Sequence, residues 1–133
     1  MDFFNRLSNP LSVLVAESHP AIRRNLSEAL RGMGLSTYEA SGGQETLEIV
    51  STVRVHALIL DYDLPDLGGL QTVRVMRTFR EVPPYLLLAS AITREMQVDA
   101  LASHATSVIP KPVDMDMLSD IVETMLLRAY NRF

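Results

Sequence analysis

The residues of this chain best suited to chemistry are single polar side chains at the ends of apolar runs. Asp61 ends the largely apolar run 55–60 and precedes a loop that contains Pro65, Gly68 and Gly69. Such a run is typical of a strand buried on both faces, and proline and glycine mark the loop beyond it. Asp61 is therefore predicted at a sheet edge, where a carboxylate can attack phosphorus and form an aspartyl phosphate.

Three other predicted strands also end in polar residues. Glu17 and Ser18 follow the first strand, Ser90 follows the fourth and Lys111 follows the fifth. Ligands of parallel sheets bind beyond the carboxyl ends of the strands, so these side chains are expected to share one site with Asp61. An attacking acid, a metal-binding acid, a hydroxyl and an ammonium together suit a phosphoryl group.

Apolar runs and helical periodicity predict the elements that position these residues. Strands are predicted at 11–16, 35–40, 55–61, 85–89 and 106–109. The first helix is predicted to begin at Pro20, and the second to follow residues 41–44, which have the spacing of a capping box. The other helices are predicted at 69–79, at 93–103 and from Asp114 onward. Gly34 is expected to end the first helix, and Thr93 and Asp114 to cap the last two. Strictly alternating strands and helices indicate a parallel sheet with helices on both faces.

Composition excludes several classes of protein. The 133 residues suit one domain, and the net charge of −4 argues against a nucleic-acid-binding surface. The absence of cysteine excludes disulfides and thiolate metal sites. No apolar stretch approaches the length of a membrane span, and the first ten residues lack the features of a signal peptide. A cytoplasmic protein is expected, with Phe3 and Phe4 as local packing residues.

Over residues 11–129 the chain resembles the receiver domains of two-component response regulators. The stretch 61–65 with Gly69 matches their phosphoacceptor loop, Ser90-Ala91 their hydroxyl switch and Lys111-Pro112 their lysine motif. The resemblance implies a (βα)5 doubly wound, flavodoxin-like parallel sheet with strand order 2-1-3-4-5. It places the domain at 11–130, after an N-terminal extension at 1–10.

The same resemblance implies a function. Asp61 would accept a phosphoryl group from a histidine kinase or a phosphotransfer protein, and Ser90 and Lys111 would bind its oxygens. Mg²⁺ would be held by Glu17, by Asp61 and by Asp63, the last through its backbone carbonyl. Such a domain is not an enzyme, and it signals to an output protein, here unknown, through a changed protein-contact surface. The sequence leaves open whether it forms a homodimer.

Three positions depart from the family pattern. Ser18 replaces the second acid of the pair that ends the first strand, so weak Mg²⁺ binding is expected. Val108 replaces the usual aromatic residue three positions before Lys111. His104 stands where a glycine is usual, and histidine is a costly but known occupant if the backbone keeps a positive φ there.

Two alternatives remain open from the sequence. The missing acid at Ser18 favours a degenerate receiver that acts as a phosphorylation-independent interaction module. Alternatively, Asp61 and Asp63 form the Asp-x-Asp of haloacid-dehalogenase-like phosphatases. Only 72 residues follow Asp61, and Pro65 and Gly69 fit a receiver better. Sustained turnover of p-nitrophenyl phosphate would distinguish the phosphatase.

Overall fold

Five strands and five helices alternate along the chain, as predicted. The computed structural model describes residue 4 and residues 9–130. The strands are β1 (Ser12–Ala16), β2 (Ser36–Ala40), β3 (Ala57–Asp61), β4 (Tyr85–Ala89) and β5 (Ser107–Pro110), and the helices are α1 (Pro20–Gly32), α2 (Gly43–Thr52), α3 (Gly69–Arg77), α4 (Arg94–Ala102) and α5 (Met115–Tyr130). In this described part, none of the helices has the length and apolar character needed to cross a membrane.

All five strands are parallel and lie in the order β2-β1-β3-β4-β5, which confirms the predicted topology. Successive side chains of a strand point to opposite faces, and the apolar core is accordingly divided in two. One cluster lies between the sheet and the helices α1 and α5, and it includes Leu26, Leu30, Ile59, Leu88, Leu118 and Val122. The other lies between the sheet and the helices α2, α3 and α4, and it includes Leu14, Val50, Leu60, Val73, Met76 and Leu87.

Most of the predicted N-terminal extension, residues 1–10, lies outside the described residues. Phe4 is described and is 1% exposed in the cluster beneath α1 and α5, so its predicted packing role is confirmed. Phe3 lies outside the described residues. Ile22 shares a helical face with Leu26 and Leu30 in the sequence, but it is 37% exposed because it lies in the first turn of α1, beside Pro112 and Met115.

Several helix ends form as predicted. Thr93 Oγ1 accepts a hydrogen bond from Met96 N at 3.1 Å, and Asp114 Oδ1 accepts from the N–H groups of the first turn of α5. Gly34 follows α1 with a φ of 91°, and the backbone keeps a positive φ at His104, at 65°. These residues fix where the helices begin and end, and therefore which loops reach the carboxyl edge of the sheet.

The capping box predicted at 41–44 is wrong, although a helix does follow it. Gly42 is the N-cap residue and contributes no side chain. The cap comes from the loop after β3: Asp66 Oδ1 accepts from Gly43 N at 2.8 Å and Asp66 Oδ2 accepts from Gln44 N at 2.9 Å. A carboxylate from a distant loop therefore satisfies the free N–H groups of α2 and ties this helix to the segment that follows Asp61.

Two glycines allow this close approach. A Cβ on Gly42 would lie 2.7 Å from Asp66 Oδ1, and a Cβ on Gly43 would collide with the Thr72 hydroxyl. Side chains at these two positions would push α2 away from the loop, so the glycines are required here by space rather than by backbone angles.

Replacing Asp66 by alanine is expected to destabilise the fold by about 1 kcal/mol, the usual cost of losing a helix cap. Hydrogen bonds from the backbone of Gln44 and Gly43 lower the pKa of Asp66 to about 2. Because the folded pKa is below the unfolded value of 3.8, the contribution is present above about pH 4 and is lost as the pH falls toward 2. Urea unfolding from pH 7 to pH 3 measures it, with exposed Asp120→Ala as the matched control. If Asp66→Ala lowered the free energy of unfolding equally at pH 7 and at pH 3, this explanation would be wrong.

The C-terminal end of α4 is hydrogen-bonded to two neighbouring elements. Val98 and Leu101 are 57% and 77% exposed, and Met96 and Ala100 are the buried residues of this helix. At its C-terminal end, the Ser103 carbonyl accepts hydrogen bonds from Tyr85 Oη at 2.6 Å and from Arg77 Nη2 at 3.2 Å. The C-terminal end of α4 is thus fixed to β4 and α3.

Candidate functional site

A lysine joins two buried acids at the carboxyl edge of the sheet. Lys111 Nζ lies 2.6 Å from Asp61 Oδ2 and 2.7 Å from Glu17 Oε1. The three residues follow or end β5, β3 and β1, and sequence reasoning had placed all of them at this edge. The structure brings them into direct contact.

Asp61 is the last residue of β3 and is 4% exposed. Its Oδ1 accepts a hydrogen bond from Asp63 N at 3.0 Å, while Oδ2 is paired with Lys111. A Cβ on Gly69 would lie 2.7 Å from the Asp61 carbonyl oxygen, so only glycine lets α3 begin this close to the strand. The loop between β3 and α3 therefore folds back around the Asp61 carboxylate at the carboxyl edge of the sheet.

Glu17 is 2% exposed, and each of its polar atoms has a partner. Its backbone N–H donates to the Ala40 carbonyl at 3.0 Å, and its backbone carbonyl accepts from Arg23 Nη1 at 2.7 Å. In the side chain, Oε2 accepts from His19 N at 3.0 Å, while Oε1 is paired with Lys111 Nζ at 2.7 Å. The lysine therefore compensates the buried charge.

Lys111 is positioned by the strand next to it. Its N–H donates to the Ala89 carbonyl at 2.9 Å, and its bond to Pro112 is cis. Burial acts to lower the pKa of Lys111, but hydrogen bonds and the charges of Asp61 and Glu17 outweigh burial, so its pKa is raised. The ammonium is charged at neutral pH and is shared between the two carboxylates.

The other predicted residues lie at the rim. Ser90 follows β4 and Ser18 follows β1, and both are exposed. Among the described residues, none forms a hydrogen bond with either hydroxyl group. The side chain of Asp63 is also exposed, and its backbone N–H is held by Asp61. The structure thus leaves the Ser90 hydroxyl available to a ligand.

The donor set suits a hard cation. Two carboxylates, those of Glu17 and Asp61, and the Asp63 carbonyl are the oxygen ligands that Mg²⁺ prefers. Within the described residues, no three His, Cys, Asp or Glu side chains are grouped so that they could hold a metal ion. The residues present fit Mg²⁺ by donor type, with one carboxylate fewer than an acid at Ser18 would supply.

Sequence reasoning missed Arg23 and Asp66, which support the site from outside. Arg23 holds the backbone of Glu17, and Asp66 holds α2 against the loop after Asp61. Each acts through a single side chain, Arg23 across six residues and Asp66 across more than twenty, which leaves no periodic pattern in the sequence.

Comparison with known proteins agrees with this geometry. A family model described as "Response regulator receiver domain" matches residues 13–123. "Response regulator MprA" of Mycobacterium leprae is 30% identical over 119 residues, which cover 90% of this chain and 52% of that protein. "Regulatory protein AtoC" of Escherichia coli is 27% identical over 114 residues, 86% of this chain and 25% of that protein. The chain spans about half or less of these relatives.

Solved structures share the fold. The receiver domain of the Francisella response regulator 1452 has a TM-score of 0.84 at 23% identity, covering 90% of this chain and 99% of that one. The chemotaxis protein CheY4 of Vibrio cholerae has a TM-score of 0.79 at 25% identity, covering 87% and 98%. A co-crystal structure of the Saccharomyces cerevisiae phosphotransfer protein Ypd1 with the receiver domain of Ssk1 has a TM-score of 0.80 at 24% identity, covering 92% and 94%.

Proposed function

The chain belongs to the response regulator receiver domain family, and we propose that it accepts a phosphoryl group on Asp61 from a histidine kinase or a phosphotransfer protein. The observation that carries the proposal is the contact of Lys111 Nζ with both Asp61 and Glu17, at 2.6 and 2.7 Å. This contact places a nucleophile, a counter-charge and a second acid at the carboxyl edge of the sheet. Receivers of this family act in two-component signalling, and one structural relative was crystallised with a phosphotransfer protein.

The chemistry assigns one task to each side chain. The Asp61 carboxylate attacks phosphorus, and an oxygen–phosphorus bond forms as the bond from phosphorus to the donor breaks. Lys111 then pairs with the phosphoryl oxygens, and the exposed Ser90 hydroxyl donates to one of them. Mg²⁺, when held by Glu17, Asp61 and the Asp63 carbonyl, would neutralise further charge on these oxygens.

The output of the domain is proposed to be a protein contact rather than catalysis. Phosphorylation would change the surface formed by α4, β5 and α5, and the change would pass through Ser90 and the loop that follows it. Val108 is β-branched and has no ring to bury or expose, so an aromatic flip does not carry the signal.

In this proposal the domain works in the cytoplasm and binds neither nucleic acid nor membrane. The domain boundary at residue 11, after an N-terminal extension, is part of the same proposal.

Acetyl phosphate with Mg²⁺ tests the proposal directly. Intact mass spectrometry of the native chain should show one added phosphoryl group, which hydroxylamine should remove because it is an acyl phosphate. The same protein should show no sustained turnover of p-nitrophenyl phosphate. No adduct at any Mg²⁺ concentration would reject phosphoacceptance and favour the interaction-module alternative, for which the missing acid at Ser18 is the supporting feature.

Replacing Ser18 by aspartate is expected to tighten Mg²⁺ binding. Ser18 is exposed beside the buried Glu17, and a carboxylate there adds a close attraction of about 1–4 kcal/mol, or roughly fivefold or more in affinity. Calorimetric titration with Mg²⁺ measures the change, and labelling by acetyl phosphate should speed up in parallel. Ser18→Asn, similar in size but uncharged, is the matched control. Equal affinities for the aspartate and asparagine variants would show that Glu17 already supplies what the site needs.

A further inference from the structure

Arg23 connects the site to the edge of the sheet. Its Nη1 donates to the backbone carbonyl of Glu17 at 2.7 Å, and its Nε donates to Glu39 Oε1 of β2 at 3.3 Å. The Arg23 side chain is 19% exposed. We propose that Arg23 is a positioning residue, oriented by Glu39, which fixes Glu17 for cation binding; the inference rests on the proposed function for its role in phosphorylation.

The contacts of Glu17 show why this support matters. Three of its four polar contacts come from the backbone of β2, from the adjacent turn and from Lys111. The fourth, from Arg23, comes from a helix that is packed on the sheet and restrains the chain just where β1 ends. Because Ser18 carries no charge, Glu17 is the acid that β1 delivers to the site, and an error in its position is not compensated by a neighbour.

The pairing with Glu39 makes an arginine suitable here. A free cation on α1 would repel Mg²⁺, but the carboxylate of Glu39 neutralises much of the guanidinium charge. The planar guanidinium can donate in two directions at once, toward Glu17 and toward Glu39, whereas a lysine ammonium lacks this fixed fork. The arrangement therefore holds a carbonyl rigidly without adding a net positive charge beside the site.

Charge and position can be separated with two variants of the same helix. Arg23→Met removes a charge and both hydrogen bonds; Arg24→Met removes a charge from an exposed neighbour that forms no side-chain hydrogen bond with the described residues. Removing a cation alone can only tighten Mg²⁺ binding or leave it unchanged. We expect Arg23→Met to weaken it roughly tenfold, the equivalent of one charge-assisted hydrogen bond. Arg24→Met should not weaken it.

Further variants test the details. Arg23→Lys should recover part of the affinity, since an ammonium can still donate to the Glu17 carbonyl. Glu39→Gln should weaken Mg²⁺ binding less than Arg23→Met does. These two variants also serve if Arg23→Met does not fold, and thermal unfolding of every variant shows which ones do. Equal Mg²⁺ affinity for the wild type, Arg23→Lys and Glu39→Gln would then overturn the proposal.

Labelling by acetyl phosphate supplies a second readout. In Arg23→Met, the Mg²⁺ concentration for half-maximal labelling should rise, while the rate at saturating Mg²⁺ should stay within about twofold of the wild type. A loss that saturating Mg²⁺ does not restore, or equal Mg²⁺ affinity of the Arg23 and Arg24 variants, overturns the proposal. Absence of measurable Mg²⁺ binding to the wild type overturns it as well. A wild type that binds Mg²⁺ but is not labelled rejects the proposed function, while a weakened affinity in Arg23→Met still supports the positioning role.

Discussion

Asp61→Asn is expected to reduce labelling by acetyl phosphate to background while the protein stays folded. An asparagine side chain has nearly the same shape, but its amide is not a nucleophile toward phosphorus. Glu17 shares the same lysine at 2.7 Å, but Asp61 is the residue that ends β3, within the stretch 61–65 that matches the phosphoacceptor loop of the family. Intact mass after treatment with acetyl phosphate and Mg²⁺ gives the result, and thermal unfolding verifies the fold.

Asp63→Asn is the matched control for this experiment. The Asp63 side chain is exposed two residues away, and its backbone, which contacts Asp61, is retained. This variant should be labelled nearly as well as the wild type. If Asp61→Asn were labelled to the same extent, or if peptide mapping located the phosphoryl group elsewhere, Asp61 would not be the acceptor.

Lys111→Met is expected to lower the free energy of unfolding by about 3 kcal/mol. Removing one partner of a buried ion pair leaves an uncompensated charge, and here two buried carboxylates lose their shared cation. The Lys111 side chain is 18% exposed, so the expected cost is at the low end of the range for buried pairs. Urea unfolding at pH 7 measures it.

The pH dependence and a charge-preserving variant test the cause. Because the folded pKa of Lys111 is raised, its contribution is fully present below the unfolded value of 10.5 and is lost as the pH rises further. The difference in the free energy of unfolding between the wild type and Lys111→Met should therefore become smaller only in strong alkali. Lys111→Arg should retain much of the stability, and adding Glu17→Gln to Lys111→Met should recover part of the loss. A double variant no more stable than Lys111→Met would show that packing, rather than charge, was lost.

Much of the fold could be predicted because the relevant patterns are local. The apolar runs that precede Asp61 and Ser90 are those of strands buried on both faces, and alternation with helices implies a parallel sheet. The strand order came from a family resemblance, since periodicity does not specify which strands are neighbours. The residues of the site could be predicted from the ends of the same strands, because parallel strands bring their carboxyl ends to one edge of the sheet.

What could not be predicted depends on single tertiary contacts. The spacing of Ser41 and Gln44 fits a local cap, but Asp66, more than twenty positions away, caps α2 instead. Similarly, nothing around Arg23 marks it as a partner of Glu17, because its reach to the turn before α1 depends on how that helix packs on the sheet. Contacts of this kind are set by tertiary structure and override local propensity.

Because the C-terminal end of α4 is held at Ser103, any tilt of this helix would pivot about that residue. Nine residues at about 1.5 Å each give an arm of about 13 Å, so a tilt of about 10° would displace the first turn by about 2 Å. Such a tilt would displace the end next to Ser90 most, whereas Leu101, two residues before Ser103, would be displaced little. A partner that detects such a tilt would therefore have to contact the surface around Ile92, whereas a partner bound over Leu101 would hardly sense it.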